Sequence, residues 1–369
     1  ICSGLVGSEM CIRDRQHPEE DLKIVLHRII SSLQTPFDLS GNEVTVTSSL
    51  GIALFPDDGD TVGNLMSNAD MAMYEAKRAG RNTFRFFTRE MNQKVQGKMT
   101  LETHLRHALD RNELYPVYHP IIRLSDGAMV GAEALLRWKS PDLGLVSPLD
   151  FIPIAEQTGL IRPITEWLFE TILEHAASWD QRPENYWVGI NVSPSYFCDE
   201  AFHDTIEGVS NQASAMNLDL CVEITENLFL QAGEASLKQF KHLTKLGVSS
   251  AMDDFGTGYS SLAYIKRFPL NHLKIDRTFV DGLPGKTDDR SLTETIVLMG
   301  HRLGISLIAE GVENQAQYDY LKSLGVEYAQ GFHIARPMAQ DDFNRYISTY
   351  RPAPSDADAL STQLSSAGQ

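Results

Sequence analysis

Short apolar runs alternate with amphipathic stretches of helical spacing from about residue 115 to residue 350. Each pair of a short apolar run and a helical stretch is typical of a βα unit, and a series of such units predicts an α/β protein. Over about 240 residues, the series is long enough for a TIM-like (β/α)₈ barrel. The predicted strands cover residues 129–138, 187–192, 218–225, 248–252, 272–275, 305–309 and 328–334; helical patterns between them include 164–179, 234–246, 291–303 and 315–324.

Every one of these runs has a polar residue near its carboxyl end. In a barrel those ends converge on one face, where active sites are built. One acid at a strand end is usually a cap or turn residue, but burying several costs several kcal/mol per ion without a cation. Oxygen donors without His or Cys suit Mg²⁺ or Mn²⁺ better than zinc. The residues are Glu133, Asn191, Glu223, Asp253, Lys274, Glu310 and Gln330.

The stretch 248–262 carries two adjacent acids, Asp253 and Asp254, followed closely by Gly256 and Gly258. This pattern predicts a buried strand that ends in a tight loop. Two neighbouring carboxylates repel each other unless a cation or a proton lies between them. By itself the stretch fits a metal site and a capped turn equally well. The other strand ends favour the metal site.

The composition indicates which classes of binding partner and which cellular location to expect for this chain. The 369 residues are enough for about two or three domains. With 32 basic and 49 acidic residues, the formal charge is -17, and no basic patch predicts binding to a nucleic-acid polymer. The four cysteines lack metal or redox spacing and fit reduced thiols. No apolar run reaches about 18 residues, so we expect no membrane span in this fragment and a cytoplasmic location, although a missing N-terminal part could anchor the full-length protein.

The first 90 residues read as a separate, incomplete domain. Residues 1–15 resemble translated sequencing-adaptor read-through, and we expect them to be non-native. The rest combines helical patterns at 19–33 and 68–79 with strand-like runs at 44–55 and 83–87. The motifs at 48–53 and 69–82 resemble the C-terminal half of a GGDEF (diguanylate cyclase) domain. Its glycine-rich signature hairpin is missing, so we expect residues 16–90 to be a truncated remnant without cyclase activity.

Residues 97–350 resemble an EAL domain, a cyclic di-GMP phosphodiesterase. We expect a connecting helix at 91–112 to lead into this domain and a disordered tail at 351–369. The motifs are short, but their order and spacing together are specific. They are Glu133-Ala-Leu-Leu-Arg137, residues 151–160, Asn191-Val-Ser193, Glu223-Ile-Thr-Glu226, residues 253–260, Leu273-Lys-Ile-Asp276, Ala309-Glu-Gly-Val-Glu313 and Gln330-Gly-Phe332.

The resemblance implies a role for each matching residue. Two Mg²⁺ or Mn²⁺ ions are implied, the first held by Glu133, Asn191, Glu223 and Asp253, the second by Asp253, Asp254 and Glu310. Lys274 acts on the attacking water, as a base or by positioning it, and Glu226 holds the loop that follows Asp254. Glu310 counts among the catalytic residues. The implied substrate-side residues are Arg137, Leu136, Asp276, Glu313, Gln330 and His119, of which Asp276, Glu313 and Gln330 support the water or the metal ligands.

Position 119 departs from the family pattern, because His119 stands where the family usually has glutamine. We expect altered substrate affinity there. The predicted reaction is hydrolysis of cyclic di-GMP to linear pGpG by two-metal in-line attack of water. The alternatives are a catalytically inactive EAL domain that acts as a cyclic di-GMP receptor, and a different barrel enzyme that cleaves another phosphate ester. The resemblance also implies a homodimer through the barrel near the Asp253 loop.

Overall fold

The computed structural model describes residues 18–39, 42–179, 182–183, 185–226, 228, 234–256 and 267–352. The predicted non-native segment 1–15 and nearly all of the predicted tail lie outside the described residues. The chain divides into two compact units, Ile1–Leu101 and Glu102–Gln369.

The first unit is a small α/β assembly. A parallel pair, β3 with β4, packs against α2, while β1 and β2 form a separate antiparallel pair. Gly51 permits the close approach of α2 to β3, since a Cβ there would lie 1.9 Å from the Ala69 carbonyl oxygen. The elements are α1 (Pro18–Gln34), β1 (Phe37–Leu39), β2 (Asn42–Val44), β3 (Leu50–Ile52), α2 (Val62–Arg78), β4 (Phe84–Phe86) and α3 (Arg89–Leu105).

The second unit is built on a closed ring of eight strands. The ring order is β5, β6, β8, β9, β10, β11, β12, β13 and back to β5, while the short β7 pairs with β6 outside the ring. The prediction of a TIM-like barrel is therefore confirmed. The strands are β5 (Leu114–Arg123), β6 (Met129–Ser140), β7 (Gly144–Val146), β8 (Trp187–Asn191), β9 (Asp219–Thr225), β10 (Ser249–Phe255), β11 (His272–Ile275), β12 (Ser306–Ala309) and β13 (Tyr328–Ala329).

Helices follow most of the parallel strands and cover the barrel with apolar faces. In α5, for example, Ile164, Leu168 and Ile172 recur at helical spacing and are buried. Asn314 begins α11 with a capping box that Gln317 completes. The described helices are α4 (Pro148–Thr158), α5 (Ile161–Ala176), α6 (Pro194–Phe197), α7 (Glu200–Ala215), α8 (Glu234–Leu246), α9 (Arg277–Val280), α10 (Thr287–Leu303), α11 (Gln315–Ser323) and α12 (Gln340–Thr349).

The strand β5 is not among the seven apolar runs that predict strands. It contains Pro116 and Pro120, which cannot donate backbone hydrogen bonds and weaken the strand signal. It runs antiparallel to both of its neighbours, β6 and β13, so the barrel begins with a β-hairpin. This hairpin places His119 directly opposite Glu133.

The amino-terminal half of the barrel interior is apolar. A buried cluster there includes Ile121, Trp187 and Ile308, with Tyr328 packed against it. The Trp187 ring stacks on His272 with 5.3 Å between ring centroids. Charged groups are therefore concentrated toward the other end of the barrel, where the strands terminate.

This packing makes His272 a source of acid sensitivity. Burial lowers the pKa of His272 from its usual 6.5 to about 4. Between these values the unfolded chain binds a proton that the folded chain excludes, so stability falls as pH falls from 6.5 to 4, by up to about 3 kcal/mol. We expect His272→Phe to reduce this loss, measured by urea unfolding at pH 5 and pH 7.5 with tryptophan fluorescence.

The fluorescence readout reports the barrel, because all four tryptophans, at positions 138, 167, 179 and 187, belong to the second unit. His107 is exposed, and His107→Gln should leave the pH dependence unchanged. If His272→Phe loses as much stability at pH 5 as the wild type, the assignment to His272 is wrong.

Candidate active site and metal centre

Lys274 lies at the centre of a cage of four carboxylates at the carboxyl ends of the strands. Its Nζ is 2.6 Å from Glu223, 2.7 Å from Glu310, 3.2 Å from Asp253 and 3.4 Å from Glu133. The lysine side chain is 1% exposed. Four of the other predicted strand-end residues thus contact the ammonium group of Lys274 directly.

Strand geometry explains the convergence. Side chains alternate between the two faces of a strand, and the interior positions of neighbouring strands line up across a closed barrel. Gly189 on β8 pairs with Glu133 on β6 and makes room for the Glu223 carboxylate, because a Cβ at position 189 would lie 1.9 Å from Glu223 Oε1. A glycine at that point is therefore required for Glu223 to point inward.

The close packing of four carboxylates around Lys274 shifts the pKa values of both the lysine and the carboxylates. Burial by itself lowers the pKa of Lys274, but Asp253, Glu133, Glu223 and Glu310 outweigh it and hold the pKa well above the usual value. Lys274 is accordingly an ammonium ion in this arrangement. Burial, reinforced by Asp253 and Glu133 against the opposing effect of Lys274, raises the pKa of Glu310 to about 8.

Two amides orient the glutamate of β6. Asn191 Nδ2 donates to Glu133 Oε1 at 2.7 Å, and Gln330 Nε2 donates to Glu133 Oε2 at 2.7 Å and to Glu310 at 3.0 Å. In this orientation Asn191 presents its nitrogen to the cage. An amide flip, which exchanges oxygen and nitrogen, is needed for Asn191 to act as an oxygen ligand.

The cage fits a divalent cation that prefers oxygen ligands. One oxygen each from Glu133, Glu223 and Asp253 lies within 4.8 Å of the other two. Glu223 Oε1 is buried and has no hydrogen-bond partner among the described residues. Four carboxylates face one ammonium, so the ionised cage has excess negative charge that a cation would neutralise. The second predicted ligand group is Asp253, Asp254 and Glu310. Within the described part of the chain, these three residues do not form a group whose ligand atoms all lie within 4.8 Å of one another.

The turn after Asp253 has an uncommon backbone. Asp254 has φ of 55°, in the left-handed region that few non-glycine residues adopt, and its N–H bonds Asp253 Oδ1 at 2.9 Å. Gly256 follows with φ of 93°, and its N–H donates to Glu226 Oε2 at 3.0 Å. Glu226 thus accepts a hydrogen bond from the start of the segment that follows Asp254.

An open cavity of about 270 Å³ lies over the cage. Three of the predicted substrate-side residues line it: His119, Glu313 and Gln330. Burial lowers the pKa of His119 and favours the neutral ring, whose Nε2–H donates to the Ala335 carbonyl. Leu135, rather than the predicted Leu136, is a lining residue.

Two predicted residues make other contacts. Arg137 Nη1 donates to the backbone carbonyl of Leu136 at 2.8 Å. Asp276 caps α9 by accepting from the Thr278 N–H at 3.0 Å. Neither residue is among those that line the cavity in the described part of the chain.

Sequence reasoning missed two side chains in the cavity wall. Arg277 is paired with Glu313 at 2.8 Å and with Asp281 at 3.1 Å. Phe332 is 45% exposed and lies under the guanidinium of Arg336, 4.4 Å from its ring centroid. Their positions in the sequence could have indicated them, because Arg277 is three residues after Lys274 and Phe332 is two residues after Gln330.

A larger cavity, of about 520 Å³, has a different character. Its wall includes Met129, Trp187 and Tyr328, from the amino-terminal halves of their strands or close to them, and no acidic residue. Among the described residues, carboxylates line only the smaller of these two cavities, whereas the charged side chains of the larger one are the cations Arg123 and Arg351. The smaller cavity is therefore the better candidate for metal-dependent chemistry.

Fold and site together define a TIM-like barrel with a candidate metal centre at the carboxyl ends of its strands. The chain belongs to the EAL domain family, whose model matches residues 102–337. The model for "Diguanylate cyclase, GGDEF domain" matches residues 5–83, a partial domain.

Two curated relatives are named as cyclic di-GMP phosphodiesterases, one of them also as a diguanylate cyclase. The chain is 38% identical over 335 residues to the bifunctional diguanylate cyclase/cyclic di-GMP phosphodiesterase MucR of Pseudomonas aeruginosa, covering 90% of this chain and 49% of that protein. It is 35% identical over 344 residues to the cyclic di-GMP phosphodiesterase PdeR of Escherichia coli, covering 93% of this chain and 52% of that protein. The chain therefore spans about half the length of these two relatives.

A solved structure matches the barrel. The PaMucR phosphodiesterase in its c-di-GMP complex aligns with a TM-score of 0.61 and 38% identity, over 66% of this chain and 99% of that one. Within the described residues, no helix combines the length and the apolar character needed to cross a membrane.

Proposed function

We propose that this chain hydrolyses cyclic di-GMP to linear pGpG. The observation that carries the proposal is the cage of Glu133, Glu223, Asp253 and Glu310 around Lys274, open to a cavity at the strand ends. The likeness to MucR, PdeR and the PaMucR complex supports cyclic di-GMP as the substrate.

The cage would hold Mg²⁺ or Mn²⁺. Glu133, Glu223 and Asp253 are the best-placed ligands for one ion, with Asn191 joining after an amide flip, while Asp253, Asp254 and Glu310 would serve a second. When bound, the ions lower the pKa of a water and neutralise phosphate charge. Gln330 keeps the Glu133 and Glu310 carboxylates oriented through its two hydrogen bonds.

Lys274 acts on the water in this proposal. As an ammonium it donates hydrogen bonds to the water or to a phosphate oxygen and so fixes their position. Action as a base requires the amine to lose its proton, and burial and neighbouring cations both favour that loss. The present contacts support the positioning role directly.

Cationic side chains help a dianionic substrate to approach an acidic protein. Arg137 at the end of β6 would bind a phosphate through its planar guanidinium group. His119 and Glu313 offer hydrogen-bonding groups in the cavity wall. Asp276 and Leu136 would support the substrate side through backbone contacts, since Asp276 accepts from the Thr278 N–H and the Leu136 carbonyl accepts from Arg137.

The proposal is tested by incubating the full chain with cyclic di-GMP and Mg²⁺ or Mn²⁺, then separating the products by chromatography. Linear pGpG that appears only with metal supports it. Binding of cyclic di-GMP without any product would overturn it and support the receptor alternative.

We also propose an assembly and a location for this chain. We propose a homodimer through the loop after Asp253, but residues 257–266 of that loop lie outside the described residues. A cytoplasmic location of this fragment is proposed because its substrate is an intracellular signal in the family that it resembles.

Replacing Glu226 with alanine should lower the kcat of hydrolysis about tenfold or more, because the Gly256 N–H loses its acceptor and the turn that carries Asp254 is released. Glu226→Gln keeps an acceptor oxygen and should retain more activity than Glu226→Ala. Steady-state kinetics and thermal unfolding of both variants check this. Equal activity of Glu226→Ala and wild type would show that the anchor is dispensable.

A further inference from the structure

Two histidines and a glutamate converge on the outside of the barrel, on the neighbouring helices α7 and α8. His203 and Glu207 are one turn apart on α7, and His242 is on α8. One potential ligand atom from each lies within 4.8 Å of the other two. We call these three residues the α7–α8 cluster. It shares no residue with the carboxylate cage.

One potential ligand atom of this cluster is not used in a hydrogen bond. His242 Nε2 is buried and has no hydrogen-bond partner among the described residues. The rings of His203 and His242 are stacked, with 3.4 Å between centroids and 18° between planes. A buried imidazole nitrogen without a partner is costly, and a bound ligand would remove that cost.

We propose that the α7–α8 cluster binds a divalent transition-metal ion of the Zn²⁺ type. Two imidazole nitrogens and one carboxylate oxygen are a donor set that zinc prefers, and Mg²⁺ does not. With bonds of about 2.1 Å, ligand atoms of a tetrahedral site lie roughly 3.4 Å apart. Since the ligand atoms of the cluster lie within 4.8 Å of one another, reaching that spacing takes at most about 1.4 Å of movement, which rotation of the stacked rings about their broad χ2 torsions can supply.

The two helices are already held together beside the cluster. Gln239 Nε2 on α8 donates to the carbonyl of Asp199, the residue that caps α7, at 3.2 Å. The Phe197 ring packs against Phe202 of α7 and Phe240 of α8, with 5.3 Å and 5.0 Å between ring centroids. The ion would find the two backbones already in place, which lowers the ordering cost of binding. His203 and Glu207 are exposed, so the ion can enter directly from solvent.

The site has a structural consequence, because α8 leads into β10. An ion that bridges α7 and α8 binds the folded chain and not the unfolded one, and so raises its thermal stability. The effect requires no change at the cage.

The test is calorimetric titration of the full chain with Zn²⁺ in excess Mg²⁺, which occupies oxygen-ligand sites. We expect one Zn²⁺ per chain with an affinity that falls at least about tenfold in His242→Gln and in His203→Gln. His107→Gln, at an exposed histidine outside the cluster, is the matched control and should bind as the wild type does. Zn²⁺ should raise the Tm of wild type and of His107→Gln more than that of His242→Gln.

Two results would overturn the proposal. One is Zn²⁺ binding that is unchanged in both His242→Gln and His203→Gln, which would place the ion elsewhere. The other is the absence of stoichiometric Zn²⁺ binding by the wild type. Neither result depends on cyclic di-GMP hydrolysis, so this experiment tests the zinc site independently of the proposed function.

Discussion

Glu133→Gln is expected to lower the rate of cyclic di-GMP hydrolysis by more than about 100-fold while the barrel stays folded. Loss of a residue that merely orients a metal ligand costs about 10- to 100-fold, and Glu133 would be a ligand itself. Glutamine is nearly isosteric, and its amide can still bond Asn191 and Gln330 once one amide is flipped. The variant therefore removes charge from the cage without removing volume.

The matched control is Glu113→Gln. Glu113 is as buried as Glu133, at 4% exposure, but accepts from Trp138 Nε1 away from the cage. Its variant should hydrolyse the substrate at the wild-type rate. Mn²⁺ binding, followed by electron paramagnetic resonance, should weaken only in Glu133→Gln. Normal activity of Glu133→Gln would refute the assignment of Glu133 to the metal.

The residues that meet at the carboxyl ends of the strands could be predicted, because the position of a residue along a parallel strand determines which end and which face its side chain occupies. Once 272–275 is a strand in a barrel, Lys274 must point to the same interior as Glu223 and Asp253. Side chains alternate between the two faces of a strand with a period of two residues, so the inward-pointing positions follow from the sequence without knowledge of the loops. The contacts of Lys274 with four carboxylates follow from it.

The strand β5 and the cavity wall were less accessible to sequence reasoning. Pro116 and Pro120 weaken the strand signal of β5, and its antiparallel direction depends on which neighbours close the ring. Arg277 reaches the cavity from the first position of α9 and Phe332 from a loop, and in both cases the direction is set by backbone angles and tertiary packing. The contact made by Asp276 was also not predicted: its side chain caps α9 through a local hydrogen bond, and the motif around Asp276 does not reveal that bond.

The protonated state of Lys274 also could not be read from the sequence. A lysine among acids can be a neutral base or an ammonium, and the outcome depends on how many carboxylates lie within contact. Four carboxylates within 3.4 Å favour the ammonium, which then competes with metal ions for the same oxygens.

Lys274→Met should therefore make the stability of the barrel depend on metal. Removing one partner of a buried ionic cluster costs about 3–5 kcal/mol, because the remaining charges are left without compensation. Without metal, we expect the free energy of unfolding of the variant to fall by about that amount. Added Mn²⁺ should restore much of it, since the ion is then the main cation among the carboxylates. Urea unfolding with and without Mn²⁺, followed by tryptophan fluorescence, measures both effects.

The control for Lys274→Met is Lys139→Met, at an exposed position on β6. Its free energy of unfolding should change by no more than about 0.5 kcal/mol, with or without Mn²⁺. The decisive quantity is the increase in stability on adding Mn²⁺, which should be larger in Lys274→Met than in wild type. An equal increase would mean that ammonium and metal do not share the cage. The ion would then bind outside the carboxylates that contact Lys274, and the proposed ligand set would fail with it.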